Sequence, residues 1–331
     1  MSLSWDKSEN GFGVAIVNSK SKLLNNKILY LNGRDDKNAI TTKKNISKDE
    51  ISKHINMRDK GRNKIIDKLY KHLSNGEPFA DEDEKYTTLY ETLKKRKDES
   101  NLIQLPPDSK FELTPLMPKD MKDGRFRSTL FVAGESGSGK TYFCKNYILL
   151  YSELYPKNKI YFISQQNKDN DESLKEIRGF MEQITIEELM DEENPITWES
   201  FSSNPCLVFF DDVDALDKRK VKKAGRSQFE ACKSLMDNLL NNSRKFGVSI
   251  IISSHDLYGA KKHETVLKEC EYFCLFPEGI LFDNLMYFCN KKLGLNKETV
   301  TRIKENKSRW VVIRRKVSMM MLTEYNAEIL K

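Results

Sequence analysis

Eight consecutive residues, Gly134, Glu135, Ser136, Gly137, Ser138, Gly139, Lys140 and Thr141, have the types and spacing needed to grip a chain of phosphates. They fit the pattern G-x-x-x-x-G-K-[ST], whose glycines let successive backbone N–H groups turn toward an anion. In this pattern Lys140 reaches the β- and γ-phosphates, where it serves binding and catalysis alike, and Thr141 offers its hydroxyl to Mg²⁺. Tyr142 follows directly and completes the nucleotide-binding stretch. A second piece of chemistry stands in "CLVFFDDVDAL", an apolar run that ends in carboxylates. Asp211 is the expected magnesium ligand and Asp212 the expected base for an attacking water, with Asp214 as its substitute. Paired aspartates after a strand also make an ordinary helix cap. A third piece is the end of "VSIIISSH", where Ser253, Ser254 and His255 interrupt an apolar strand. His255 could sense the γ-phosphate through a water, or could simply be a satisfied histidine at a strand end.

These groups need elements to hold them. "STLFVAG" reads as a buried strand leading into the glycine loop, and "KTYFCKNYILLYSELY" as the helix leaving it, which is the context the motif requires. "KIYFIS", "CLVFFDD" and "VSIIISS" read as further strands, and "SQFEACKSLMDNLLNNSRKF" as a helix between the last two. Short apolar strands spaced by helices predict an α/β fold with a central, mostly parallel sheet flanked by helices. The tail adds a strand in "EYFCLFP", helices in "LFDNLMYFCNKKLG" and "KETVTRIKEN", and strands in "RWVVIRRKVSMMMLT".

Upstream, "GFGVAIVNSKSKLLNNKILYLNG" reads as a hairpin, and "NKIIDKLYKHL" and "YTTLYETLKKRK" have helical spacing within a Lys-, Asp- and Glu-rich stretch. "LPPDSKFELTPLMPKDMKDGRFR" holds four prolines, which predict a break. The expected organisation is a small N-terminal α+β module over 1–100, a proline-rich linker over 101–125, and a nucleotide-binding domain over 126–331.

The chain has 331 residues, 38% hydrophobic, with a formal net charge of +7. That length supports one large core with an appendage, and the mild positive excess permits an anionic partner. No apolar run is long enough to cross a membrane, and the N-terminus lacks the order of a secretion signal, so a soluble intracellular protein, cytoplasmic in location, is expected. Six cysteines scattered through helix-like and strand-like segments suit reduced thiols. Cys270, Cys274 and His263 are not spaced like a common structural zinc site.

The series "FVAGESGSGKTYF", "KIYFIS", "LVFFDDVD", "LLNNSRKFGVSIIISSH" and "KECEYFCLFP", over roughly residues 125 to 280, resembles the genome-packaging ATPases of large DNA viruses, a branch of the FtsK–HerA superfamily. The resemblance implies a RecA-like P-loop NTPase that uses ATP and Mg²⁺. It also implies a homo-oligomeric ring, usually a hexamer or pentamer, that drives double-stranded DNA into a capsid. Relatives outside the viral branch usually have Asp-Glu at the acidic pair, where this chain has Asp211 and Asp212. Many relatives have glutamine at the position of His255. Arg244, before the sensor strand, falls where an arginine could reach the γ-phosphate of a neighbouring subunit, or could satisfy helix carbonyls; Arg226 stands second for the finger. Lys218, Arg219, Lys220, Lys222 and Lys223 follow the acidic strand, where ring translocases place loops that track DNA phosphates. A mobile surface loop is the other reading of that cluster.

Overall fold

A computed structural model describes residues 2–32, 48–56, 61–75, 78–99, 102–116, 127–219, 225–255, 257, 264–316 and 319–330. The first strands are β1 (Ser2–Ser4), β2 (Phe12–Ser19) and β3 (Ile28–Asn32). Helices α1 (Lys48–Ser52), α2 (Arg62–Asn75) and α3 (Glu84–Glu99) follow, then the short strands β4 (Leu102–Gln104) and β5 (Ser109–Leu113). The nucleotide-binding part runs β6 (Thr129–Ala133), α4 (Lys140–Leu154), β7 (Lys159–Ile163), β8 (Met181–Ile184), α5 (Ile186–Met190) and β9 (Cys206–Phe210). It continues through α6 (Gln228–Asn242), β10 (Val248–Ser254), α7 (Glu264–Glu269) and β11 (Tyr272–Leu275). The C-terminal part comprises α8 (Phe282–Tyr287), α9 (Lys297–Lys304), β12 (Val311–Arg314), β13 (Met320–Thr323) and β14 (Asn326–Ile329).

Ten strands form the main sheet in the order β4-β14-β13-β12-β11-β6-β10-β9-β7-β8. From β11 to β8 every pairing is parallel. From β11 outward to β4 every pairing is antiparallel. The expected α/β, mostly parallel sheet is therefore present, with an antiparallel wing on one edge. Strand β10 lies between β6 and β9, so the ends of all three strands meet at one edge of the sheet.

Because successive side chains of a strand face opposite ways, each strand feeds two cores. Phe131, Val208, Phe210 and Ile252 pack under α5 to α9, among them Met236 and Leu239 of α6. Leu130, Val132, Leu207 and Ile251 pack on the other face, under Cys144 and Ile148 of α4. That second core also holds Val14, Val17, Leu29 and Phe111 from a separate four-stranded sheet of order β1-β3-β2-β5.

This arrangement departs from the expected boundaries. The hairpin β2–β3 forms as expected, with an irregularity between Gly13 and Ala15, but it shares a core with the nucleotide-binding domain. The described part of the proline-rich segment is not a linker: β4 pairs with β14 of the main sheet, and β5 pairs with β2 of the small one. Pro106 and Pro107 sit in the turn between these strands, where no ladder N–H is required. Among the described residues, α1 to α3 keep a core of their own, built on Ile51, Leu69, Tyr90 and Leu93.

Candidate nucleotide site

The loop Gly134–Gly139 joins the end of β6 to the start of α4. Two of its glycines, Gly137 at φ 76° and Gly139 at φ 105°, occupy left-handed backbone that other residues enter at a cost. Gly134 is required for a different reason: a Cβ there would lie 2.8 Å from both the Phe276 Cβ and the Ser138 Oγ. The chain thus turns tightly against the segment after β11, and the first turn of α4 presents its N–H groups to the same space. Ser138 Oγ is buried there without a hydrogen-bond partner among the described residues, while the Ser138 N–H closes the loop onto the Glu135 carbonyl at 3.2 Å. Tyr142 stands exposed just beyond, with Lys145 Nζ 4.8 Å from its ring centre.

Lys140 is buried, and its ammonium donates to the Gly134 carbonyl at 2.8 Å and the Glu135 carbonyl at 3.0 Å. It also lies 3.0 Å from His255 Nδ1. Burial lowers the Lys140 pKa, and the nearby Asp212 and Asp211 oppose that shift. Since the ammonium has only protons to offer, His255 Nδ1 must be the acceptor, which leaves the proton on Nε2. His255 Nε2 lies 3.0 Å from Asp212 Oδ2, so the ring bridges the loop lysine and the acidic pair.

The acidic strand β9 ends at Phe210, and Asp211 continues it with its N–H on the Ile163 carbonyl of β7 at 2.9 Å. Burial pushes the Asp211 carboxyl up to about 6, further raised by Asp212 and Asp171, while the Ser253 hydroxyl, donating at 2.5 Å, and Lys140 pull it back. Asp212 adopts φ 48°, ψ 43°, left-handed and uncommon for a residue with a side chain. Its N–H donates to Ser253 Oγ at 3.0 Å. Ser253 therefore ties the two aspartates together, and the neighbouring Ser254 hydroxyl donates to Asp214. These serines interrupt the apolar strand because each has a carboxylate to serve.

A buried carboxylate with a raised pKa beside a hydroxyl-bearing loop is a hard-oxygen donor set that a divalent cation would stabilise. Asp211 and Thr141 fit Mg²⁺ in that sense. The structure gathers Lys140, Asp211, Asp212, Asp214 and His255 at the sheet edge beside the glycine loop.

The other predicted residues lie elsewhere. Arg244 precedes β10 and is exposed at the opposite end of that seven-residue strand, roughly 20 Å from the edge where Lys140 sits. It is out of reach of its own phosphate loop. At the end of α6, Arg127 donates to Leu239 O and Ser243 Oγ at 2.8 and 3.1 Å. Arg226 lies at the start of α6 and donates to the Leu189 carbonyl at 2.9 Å. Arg219 pairs with Asp217 at 2.8 Å, and Lys218 Nζ lies 5.6 Å from the Phe229 ring centre. Lys220, Lys222 and Lys223, and the His263 considered with Cys270 and Cys274, lie outside the described residues. All six cysteines are buried and free.

Sequence reasoning missed the supports of the loop. Phe276 blocks any side chain at Gly134, and a Cβ at Gly139 would lie 2.9 Å from Arg309 Nη2. Lys304 gathers the carbonyls of Pro277 and Ile280, at 2.7 and 2.8 Å, and so fixes the turn that carries Phe276.

No helix among the described residues is long and apolar enough to cross a membrane. The family model for the ATPase family associated with various cellular activities (AAA) matches residues 130–268. Uncharacterized protein V3 of the Sputnik virophage is 27% identical over 207 residues, which cover 62% of this chain and 78% of that one. Among solved structures, the genome-packaging NTPase B204 of Sulfolobus turreted icosahedral virus 2 with AMPPCP is 15% identical. Its match covers 60% of this chain and 98% of that chain at a TM-score of 0.40. The pCW3 conjugation coupling protein TcpA is 14% identical, covering 68% and 66% at a TM-score of 0.42. With the glycine loop, its lysine and the acidic strand end on one edge of a mostly parallel sheet, and the AAA model matching that same stretch, the chain is a P-loop ATPase.

Proposed function

We propose that this ATPase is a motor of the FtsK–HerA type that uses ATP and Mg²⁺ to translocate double-stranded DNA, and that its task is to package a viral genome into a capsid. The observation that carries the reading is the end of β10. His255 links the loop lysine to Asp212, Ser253 ties Asp212 to Asp211, and Ser254 holds Asp214, so a change at the lysine would reach the acidic pair through the histidine ring. This is the stretch on which the resemblance to viral packaging ATPases is most particular. The virophage relative supports a viral setting.

In the proposed cycle Lys140 leaves the Gly134 and Glu135 carbonyls and His255 to take the phosphates. Asp212, steered by His255, would accept a proton from the attacking water, and Asp211 and Thr141 would hold a Mg²⁺ ion, whose chemistry would be to screen the phosphate charge. Arg244, remote from its own loop, would serve the γ-phosphate of the next subunit in a ring, with Arg226 second. Lys218, Arg219 and the lysines that follow would track the duplex backbone. The work would take place in the cytoplasm of a host cell.

The test is steady-state ATP hydrolysis by oligomers of known size, at low salt, with and without duplex DNA, with Lys140→Ala as the inactive control. Several-fold stimulation by duplex, exceeding that by single strands, is expected. Hydrolysis indifferent to duplex, or full activity in a strict monomer, refutes the proposal; preference for single strands identifies a helicase instead.

A further inference from the structure

Two surface patches of opposite charge stand without partners in their own chain. The turn of the hairpin β2–β3 carries Lys20, Lys22 and Lys27, and no acidic residue occurs between Asn10 and Gly33. Leu23 at its tip is 89% exposed. The tip is built rather than loose: the Ser19 N–H donates to Asn25 Oδ1 at 3.0 Å, the Leu24 and Asn25 N–H groups both donate to the Ser21 carbonyl, and Asn26 adopts φ 62°. Leu24 turns inward onto the core that the small sheet shares with α4, so Leu23 is held out in solvent beside a packed neighbour. The Lys20 and Lys22 ammonium groups meet no carboxylate among the described residues.

The opposite patch is the turn that follows α5. Glu187, Glu188, Asp191, Glu192 and Glu193 place five carboxylates in seven residues, and no lysine or arginine occurs between Gly179 and Asp217. Asp191 shapes the turn by accepting from the Glu193 N–H at 2.9 Å and from Asn194 Nδ2 at 3.2 Å. Glu192 and Glu193 are exposed and meet no cation among the described residues. Met190 and Ile196, half-buried on the core beneath, flank them with apolar surface.

The two patches lie on different sides of the molecule. Asn18 to Lys20, at the base of the hairpin turn, border a cavity that also touches Gly139, so the hairpin belongs to the side that carries the glycine loop. Trp198, five residues beyond Glu193, lies against Phe246 with ring centres 5.6 Å apart, which sets the acidic turn beside Arg244 at the far end of β10. Two copies arranged head to tail can bring such patches together.

This inference rests on the reading above, in which Arg244 of one subunit serves the phosphates of the next. We propose that at the same seam the hairpin of the site-bearing subunit docks on the acidic turn of its neighbour. Lys20 and Lys22 face Glu192 and Glu193, and Leu23 seats against Met190 and Ile196. The charges set orientation and make the contact sensitive to salt, while the leucine supplies apolar burial.

The test is sedimentation of the full chain over a range of concentrations, at low salt with an unhydrolysable ATP analogue and Mg²⁺. Lys20→Glu with Lys22→Glu should raise the concentration for half-assembly about tenfold, and adding Glu192→Lys with Glu193→Lys in the same chain should restore most of that loss. The substituted residues are exposed, so the Tm of the dilute chain should not move. A second readout is covalent: Lys22→Cys and Glu192→Cys chains, mixed under mild oxidation, should give a disulfide-linked dimer that neither forms alone, the six native cysteines being buried. Assembly that survives the lysine reversal, or a mixture that yields no covalent dimer, overturns the docking surface and leaves the shared site standing. A wild-type chain that stays monomeric overturns both. Lost affinity for duplex DNA with assembly unchanged assigns the hairpin to the nucleic acid and overturns the docking surface as well.

Discussion

Replacing His255 by alanine should tighten nucleotide binding while slowing hydrolysis, an unusual pair of effects that follows from the contacts of the ring. Lys140 donates to His255 Nδ1 at 3.0 Å, and the opposite ring nitrogen meets Asp212 at 3.0 Å. Any phosphate that takes Lys140 must first break the bond to the ring. A hydrogen bond to a charged group contributes about 1.5–3 kcal/mol. The His255 and Asp212 side chains are 38% and 36% exposed, and solvent screening cuts that to about 1 kcal/mol. Removing the ring should therefore lower the Kd for ADP, which has no γ-phosphate to contact the ring, by about fivefold. Turnover should fall, because Asp212 loses the donor that aims it; a mispositioned general base costs on the order of 100-fold. His255→Gln, which keeps a donor and an acceptor, should recover part of the rate. Equilibrium titration with ADP and steady-state hydrolysis of ATP report the two effects separately. Weaker ADP binding with unchanged turnover in His255→Ala would refute the bridge.

The Asp211 carboxyl, raised by burial from 3.8 to about 6, titrates above its unfolded value, so its contribution to stability is present at low pH and is lost as pH rises through about 6. The loss is about 3 kcal/mol, so at pH 8 and without cation Asp211→Asn should be more stable by up to that amount in urea unfolding, and should no longer gain from Mg²⁺ with nucleotide. Gly139→Ala must hold a side chain at φ 105° and push Arg309 aside, a cost of about 1–2 kcal/mol that a lowered Tm should show, together with weaker ATP binding. Glu271→Ala removes the buried carboxylate that Arg314 meets at 2.7 Å and Lys316 at 3.2 Å, and should cost about 3–5 kcal/mol in urea unfolding.

The parts of the site that were legible in the sequence are those whose chemistry is contiguous in the chain. Gly134 to Thr141 lie in one stretch, Asp211 to Asp214 in another, and each follows an apolar strand whose pattern announces it. Ser253 and Ser254 stood out because hydroxyls break an otherwise apolar run, although their carboxylate partners lie some forty residues away. Arg309 carried no such signal. It belongs to a turn before β12 and meets Gly139 only because β12 adds to the main sheet beside β11, which itself pairs with β6. The proline-rich segment misled for a related reason: proline disfavours a ladder position, but two prolines in a turn leave the strands on either side intact. The strand β8 and the one-turn helix α5 were not anticipated, being four and five residues long in a stretch with little apolar periodicity.

The position of the small N-terminal sheet bears on how a change at the phosphate site could spread through the chain. Leu29, Val17 and Phe111 pack in the same core as Leu130 and Ile148, so the sheet cannot shift without disturbing the strand and helix on either side of the glycine loop. Glu324 adds a polar tie across the same junction. Hydrogen bonds from Lys110, the Arg309 backbone and Ser308 hold its carboxyl below the usual range, although burial, the largest single influence, acts the other way. Helices α1 to α3, by contrast, bury Ile51, Leu69 and Tyr90 among themselves. A change at the phosphates would therefore be felt first in the small sheet, through Arg309 and β5. The helices, with a core of their own, could change orientation while leaving both main cores intact.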